Sequence, residues 1–412
     1  MKSNKKTYVF LTNSLGGYSG GPSYVRNKTI WLKSKGWNVI AFDSTGMANA
    51  SILFDELKCF SENRIKELFY LPAYYKKVQC EKVINEIIRK IGNDNASVVV
   101  ESNTIELSYW GEIIAEKVKA KHLIYLIAEN IIISNKNHFD FLSYKAERNE
   151  LFSISKKAYI TLFSKYRIVP DDEAESHYWN SMSYIKAVET PMPGIENLKT
   201  ADYTICHFGR YKDYLPEVIK ELSIYVEQEQ NSTFNIVFWG ISSLRTDLEQ
   251  LLTKAPNANV YYFDSVFPIP NALFKISDVV IATAGCAIIS FGEGVKTISM
   301  NVETQKPLGV MGYTTNQISF SCNEYPDSNK TLSHLLKELL KSNSYSSEPT
   351  LQLEVEAKGY NYQLSFVSDS NNWYKMYLDM QKPCLKSTLI KFLLNIGLIN
   401  VISYFRYQKY SR

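Results

Sequence analysis

SDVVIATAGCAIISFGEGVKTISMN, residues 277–301, shows the chain's α/β alternation in its most compact form. It reads as a buried strand over 278–283, a small-residue turn at Ala284-Gly285-Cys286, a short helix, Gly294, and a second strand over 295–300. A strand, a glycine turn and a helix N-terminus in this order make an anion site. The turn lets a ligand approach the backbone, and the first helical N–H groups point at it with the positive end of the dipole. Many α/β crossovers share the pattern, so its weight comes from its place, late in the second of two α/β series.

Upstream of it the same alternation repeats. A strand over 203–208 ends in Gly209-Arg210-Tyr211-Lys212, and a helix follows over 215–229. A strand over 234–239 ends at Gly240, before a helix over 244–253. A strand over 259–263 ends at Asp264-Ser265, before a helix over 269–276. Downstream come a polar loop over 307–316, a helix over 332–342, an irregular polar segment over 343–370 and a helix over 371–381. Pro191, Pro193 and Gly194 mark a linker, since such a run continues neither helix nor strand.

Ahead of the linker lies another α/β series. A strand over 8–11 leads into a loop holding Gly16, Gly17, Gly20 and Gly21, then a helix over 22–35 and a strand over 37–42 that ends at Asp43. An acid about twenty residues past a glycine loop fits a dinucleotide-binding unit, but the spacing is GG-x-x-GG rather than G-x-G-x-x-G, so that fingerprint fails. Helices over 75–91 and 105–120 precede strands over 97–100 and 122–127, which end at Glu101 and near Glu129. Carboxyl ends of strands are where open α/β sheets bind ligands, so both glutamates are candidate catalytic carboxylates; solvated or capping roles are the plainer alternative. His138 opens the next helix, followed by a weak strand, a helix over 171–182 and a strand over 184–188.

Composition narrows the class. At 412 residues, with 45% apolar and 21% charged residues, the chain suits two soluble domains, each with its own core. Its 29 Tyr and 20 Phe are chiefly packing material, with a minority available to line a sugar-binding cleft. Six scattered cysteines with no C-x-x-C pair, and no Asp-x-Asp, argue against a disulfide framework and a metal site and fit a cytoplasmic protein. The apolar stretch after MKSNKK is too short for a signal peptide, and no window reaches the length of a membrane span. The net charge of +4 is concentrated. Residues 382–412 carry six basic residues and no acid, so the rest is slightly acidic, which speaks against nucleic acid. Within that tail FLLNIGLINVISYF, 392–405, is flanked by Lys386, Lys391, Arg406 and Lys409; it reads as a helix lying in an anionic headgroup region, or as a helix packed on the protein.

Three segments together resemble the GT-B glycosyltransferases of bacterial polysaccharide assembly, glycosyltransferase family four in particular, in motif order over nearly all of the first 380 residues. GGPSYVRNKTIWLKSKGWNVIAFD is similar to that family's glycine loop, long helix and second strand; HFGRYK is similar to its donor-diphosphate segment; SDVVIATAGCA…GVKTISMN is similar to its donor-sugar and ribose segment. The resemblance implies two Rossmann-like domains facing a central cleft, with a C-terminal amphipathic helix. It divides the chain into an acceptor-side domain (1–190), a linker (191–202), a nucleotide-sugar donor domain (203–345), a return segment (346–381) and the basic tail (382–412). Arg210 and Lys212 would hold the diphosphate, where cations stabilise leaving-group charge. Gly240, Ser265 and Gly285 would complete the donor site, Gly16, Gly17 and Gly20 the acceptor-side loop, and Glu101 or Glu129 would be the base. The family's Glu-x7-Glu is absent: Ser290 or Phe291 falls at its last position, and Glu293 is the nearest carboxylate for the ribose. The turn Thr283-Ala284-Gly285 is closer to the peptidoglycan GlcNAc-transferase type. The implied activity is metal- and cofactor-independent transfer of a sugar from a nucleotide-diphosphate donor to a lipid-linked or growing surface polysaccharide (capsule, O-antigen or exopolysaccharide) at the inner membrane face. The alternatives are a nucleotide-sugar 2-epimerase and a non-catalytic partner subunit.

Overall fold

The computed structural model describes residues 5–13, 15–17, 20–44, 52–92, 95–179, 185–315, 330–341, 354–366, 373–374, 390 and 392–394. The chain forms two compact units, Met1–Ser181 with Ala357–Arg412, and Met182–Glu356.

Unit 1 contains, in order, β1 (Lys5–Thr12), α1 (Gly20–Ser34), β2 (Asn38–Asp43), α2 (Asp55–Lys58), α3 (Lys77–Ile91), β3 (Asn95–Ser102), α4 (Ile105–Val118), β4 (Lys121–Leu126), α5 (Lys136–Glu147), β5 (Leu151–Ser153), α6 (Lys156–Phe163) and α7 (Asp171–Ser176). The strands order β2-β1-β3-β4-β5, every pair parallel. A parallel sheet is covered on both faces, and the apolar runs reflect this: Tyr8 to Leu11 are fully buried. α3 buries Cys80, Val83, Ile84, Ile87 and Ile91, an i, i+3, i+4, i+7 stripe, against Val9, Leu11 and Val100. The Thr104 hydroxyl accepts the Leu107 N–H and starts α4.

Unit 2 contains β6 (Tyr203–Phe208), α8 (Leu215–Gln228), β7 (Phe234–Trp239), α9 (Thr246–Thr253), β8 (Ala258–Phe263), α10 (Ala272–Ile276), β9 (Val279–Ala282), α11 (Ala284–Gly292), β10 (Thr297–Met300), β11 (Pro307–Val310) and α12 (Leu332–Lys341). Its order is β11-β10-β9-β6-β7-β8, parallel except for β11. α8, α9 and α12 lay Val218, Leu222, Leu248, Leu252, Leu335 and Leu336 on Ile205, Ile236, Phe238 and Ile281.

Several sequence expectations are corrected. The loop expected at 307–316 begins with edge strand β11, antiparallel to β10, in which Leu308 and Val310 are fully buried and Pro307 takes the tolerated first position. The helix expected over 171–182 stops at Ser176, because the backbone turns to bridge Tyr178 to Ser153. Of the strand expected at 184–188, Val188 makes only an isolated bridge to Pro270, which also delays α10 to Ala272. The segment read as irregular holds helix α13 (Glu354–Phe366), whose Tyr360 and Gln363 are buried. The expected helix over 371–381 lies outside the described residues apart from 373–374.

The tail at 382–412 lies outside them apart from 390 and 392–394. There Leu394 is buried in the unit 1 core, Ile390 packs beside it, and Phe392 is 58% exposed. Among the described residues no helix is long and apolar enough to cross a membrane.

Candidate functional site

From β6 the chain of unit 2 runs to β7 and β8 on one side and returns to β9 and β10 on the other. Such a reversal opens a crevice at the carboxyl ends of the two diverging strands, here β6 and β9. The two stretches singled out in the sequence meet at that point: Gly209 to Lys212 follow β6, and Thr283 with the start of α11 follows β9. Lys212 Nζ donates to Thr283 Oγ1 at 3.4 Å. Arg210 is exposed and Lys212 half-buried, and among the described residues neither forms an ion pair.

Gly285 lies inside the first turn of α11 rather than in a turn before it. Ala284 takes the bend instead, at φ +49°, a conformation that costs an alanine of order 1–3 kcal/mol. Thr283 occupies the N-cap position with no side-chain cap bond. The helix therefore presents backbone N–H groups and the positive dipole end beside two cations.

The neighbouring strand ends crowd close. Gly240, at φ +93°, would place a Cβ 2.9 Å from the Gly209 carbonyl oxygen and 3.4 Å from Ser265 Oγ, so only glycine fits. Gly209 N–H donates to Trp239 O, and Gly240 N–H to Phe263 O. Gly240, Ser265, Gly209, Lys212, Thr283 and Gly285 thus share one edge of the sheet. Beneath them His207, 1% exposed, shares a 2.7 Å hydrogen bond with the Tyr214 hydroxyl. Burial, reinforced by the charge of Lys212, pushes its imidazole down to about 3, so His207 is neutral. Burial pushes the Cys286 thiol up to about 11 against the pull of Lys212 and Arg210, which makes it an inert thiol rather than a nucleophile.

Glu293 is not brought to this edge. It lies past the far end of α11, eight residues or roughly 12 Å of helix from Gly285, and its carboxylate accepts the Ala187 N–H at 2.7 Å. Ser290 and Phe291, at the family's missing glutamate position, are buried, with Ser290 Oγ bonded to Cys286 O.

In unit 1 the glycine loop follows β1. Gly16 and Gly17 are half-buried, with Gly17 at φ +77°, and Gly20 starts α1. Asp43 is committed to this loop: its Oδ2 accepts the Leu15 N–H at 3.2 Å, and the side chain is almost fully buried. Glu129, in the loop after β4, is exposed.

Glu101 corrects the sequence reading. It points into the protein, fully buried, with Oε2 accepting from Lys28 Nζ at 2.6 Å and from the Tyr8 hydroxyl at 2.5 Å. Asn103 Nδ2 donates to its other oxygen at 2.9 Å. Lys28 also reaches Tyr24 and Gln363, so α13 is tied to α1 and β3 by a buried charge pair. The sequence signal was present: Lys28 sits four residues after Tyr24, on the same face of α1 as the buried Leu32.

A second buried network also escaped the sequence reading. Ser102 Oγ lies 3.0 Å from His122 Nε2, and His122 Nδ1 lies 2.6 Å from Glu112 Oε2, which also takes Lys145 at 2.9 Å. The connectivity is that of a nucleophilic triad, but the three residues are at most 2% exposed. A Cβ on Gly111 would come 2.2 Å from Ser102 Oγ, so no substrate atom fits there. The trio joins β3, β4 and α4. Burial by itself raises the Glu112 carboxyl, but the His122 hydrogen bond and the Lys145 charge pull it down to about 2.

No family model matches the chain, and no curated protein matches it by sequence. Solved structures do share its fold. A glycosyltransferase from Rickettsia africae ESF-5 superposes with a TM-score of 0.56 at 14% identity, covering 89% of this chain and 100% of that one. A sucrose-phosphate synthase from Thermosynechococcus elongatus gives 0.47 at 11% identity, covering 97% and 100%. A putative UDP-N-acetylglucosamine 2-epimerase from Listeria monocytogenes gives 0.42 at 12%, covering 73% and 80%. The first, with two Rossmann-like units and their strand orders in hand, establishes that this chain has the GT-B fold.

Proposed function

We propose that the protein is a glycosyltransferase that moves a sugar from a nucleotide-diphosphate donor to a growing, lipid-linked surface polysaccharide. One observation carries the reading: Arg210 and Lys212, neither in an ion pair among the described residues, stand with the N-terminus of α11 at the switch point of unit 2. A departing nucleoside diphosphate accumulates negative charge, and cations with aligned N–H groups stabilise it. Gly240 and Ser265 extend the same edge toward the nucleoside. Glu129, the exposed member of the two candidate carboxylates, is assigned the base on the acceptor side. Glu101 is assigned to the framework, since its charge is consumed by Lys28. The ribose partner is left to groups other than Glu293, which holds the Ala187 backbone. The basic residues of segment 382–412, rather than Leu394 and Ile390, which pack in unit 1, are assigned contact with anionic lipid at the inner membrane face, where such an acceptor is presented.

Calorimetry with UDP, GDP and dTDP on wild type and on Arg210→Ala and Lys212→Ala, with turnover of the matching nucleotide sugars in the presence and absence of lipid-linked acceptor, tests the reading. Nucleotide binding that both variants retain at full strength overturns the site. Epimerised sugar released without acceptor replaces transfer by the 2-epimerase activity.

A further inference from the structure

We propose that a groove along α5 in unit 1 is a second saccharide site, one that holds a neutral sugar chain away from the strand carboxyl ends. The groove has a volume of about 550 Å³, within the range of ligand pockets. It runs from Phe139 and Asp140 near the start of α5 to Glu147 and Asn149, just ahead of the amino end of β5. Arg167, Glu173 and Tyr374 close its sides.

The walls select the ligand class. Phe139, Tyr144 and Tyr374 line the groove and are each half-buried, with Lys136 Nζ over the Phe139 ring at 4.8 Å and the Arg148 guanidinium over the Tyr144 ring at 5.4 Å. Tyr144 and Tyr374 meet at 5.2 Å and 56°, forming a corner rather than a closed stack. Aromatic surface of this kind receives the C–H faces of pyranose rings, whose hydroxyl rims then need polar partners. Those partners are present. The Glu147 carboxylate is exposed and has no cation partner among the described residues, and half-buried Asn149 lines the same end of the groove.

Charge excludes the alternatives. Arg167 is neutralised by Glu173, which also accepts the Tyr159 hydroxyl, and Asp140 is paired with Lys136. With Glu147 left over, the groove has no positive excess to attract a phosphate or a nucleotide. A purely apolar ligand would cover the Glu147 carboxylate and the Asn149 amide without pairing them. A neutral polyhydroxyl chain satisfies both the rings and the acceptors. The inference stands on the groove alone; the transferase reading enters only in taking that chain to be an acceptor polysaccharide.

Saturation-transfer NMR and calorimetry with maltotetraose, cellotetraose and chitotetraose test it on the full chain. At least one probe is expected to bind with millimolar affinity, at least tenfold weaker in Tyr144→Ala and several-fold weaker in Glu147→Gln. UDP binding should be unchanged in both variants, which also shows that they are folded. Absence of binding by all three probes overturns the proposal, as does binding that neither variant weakens. Loss of UDP binding in Arg210→Ala with sugar binding intact supports the groove independently of the donor site; UDP binding intact in that variant counts against the transferase reading and leaves the groove to its own result.

Discussion

Lys212 Nζ stands 3.4 Å from Thr283 Oγ1, so the loop leaving β6 is tied to the first turn of α11 across the switch point of the second sheet. A diphosphate seated there would take over the Lys212 contact. Charge-assisted hydrogen bonds contribute about 1.5–3 kcal/mol each, so Lys212→Ala and Arg210→Ala should each weaken nucleoside diphosphate binding by roughly 10–100-fold. Calorimetry checks this, and Arg210→Lys should recover only part of the loss, because the planar fork is not replaced.

Gly240 packs its backbone against Gly209 at a φ that L-residues avoid. Gly240→Ala should destabilise unit 2 by about 1–3 kcal/mol, read as a lower midpoint in urea, and should weaken nucleotide binding as the β6 and β7 ends separate. An unchanged midpoint would contradict the close approach.

Lys28 and Glu101 form a fully buried pair. Removing one partner strands the other charge, so Lys28→Met or Glu101→Gln alone should cost about 3–5 kcal/mol, whereas the double variant should cost clearly less than the sum. Additive losses in the denaturant cycle would show that the pair is not coupled.

His207 makes stability depend on pH. Its folded pKa, about 3, lies below the ordinary 6.5, so the unfolded chain binds the proton first. Its contribution is complete above 6.5 and is lost as pH falls toward 3, at about 1.4 kcal/mol per unit. Glu112, held at about 2 against an ordinary 4.5, adds a loss of the same sign from 4.5 downward. In His207→Gln the slope of unfolding free energy between pH 4.5 and 6.5 should fall by one proton, measured by urea titrations across that range.

Segment 382–412 gathers six basic residues with no acid. Near an anionic surface each contributes about 1 kcal/mol, so replacing Lys386, Lys391, Arg406 and Lys409 by Gln should abolish co-sedimentation with phosphatidylserine vesicles while leaving phosphatidylcholine unaffected. Equal partition of wild type and variant would remove lipid from the reading.

The sequence by itself determined the α/β alternation and the two stretches that meet at the switch point, while the GT-B arrangement came from the resemblance in motif order. The alternation and the stretches are local properties: apolar runs of strand length, a 3.6-residue stripe in α3, and glycines at strand ends. Edge strand β11 and helix α13 were not legible, because one is short and the other is polar along most of its length, and each is held by packing. Only the tertiary structure decided which carboxylates face solvent. The sequence places both Glu101 and Glu129 at strand ends, yet β3 runs on through Glu101 to Ser102 and Lys28 arrives from α1 to bury it, while Glu129 stays exposed in the loop after β4. Whether a charged side chain is spent inside the protein or offered to a ligand depends on residues far away in the chain, and that pairing exists only once the units have folded.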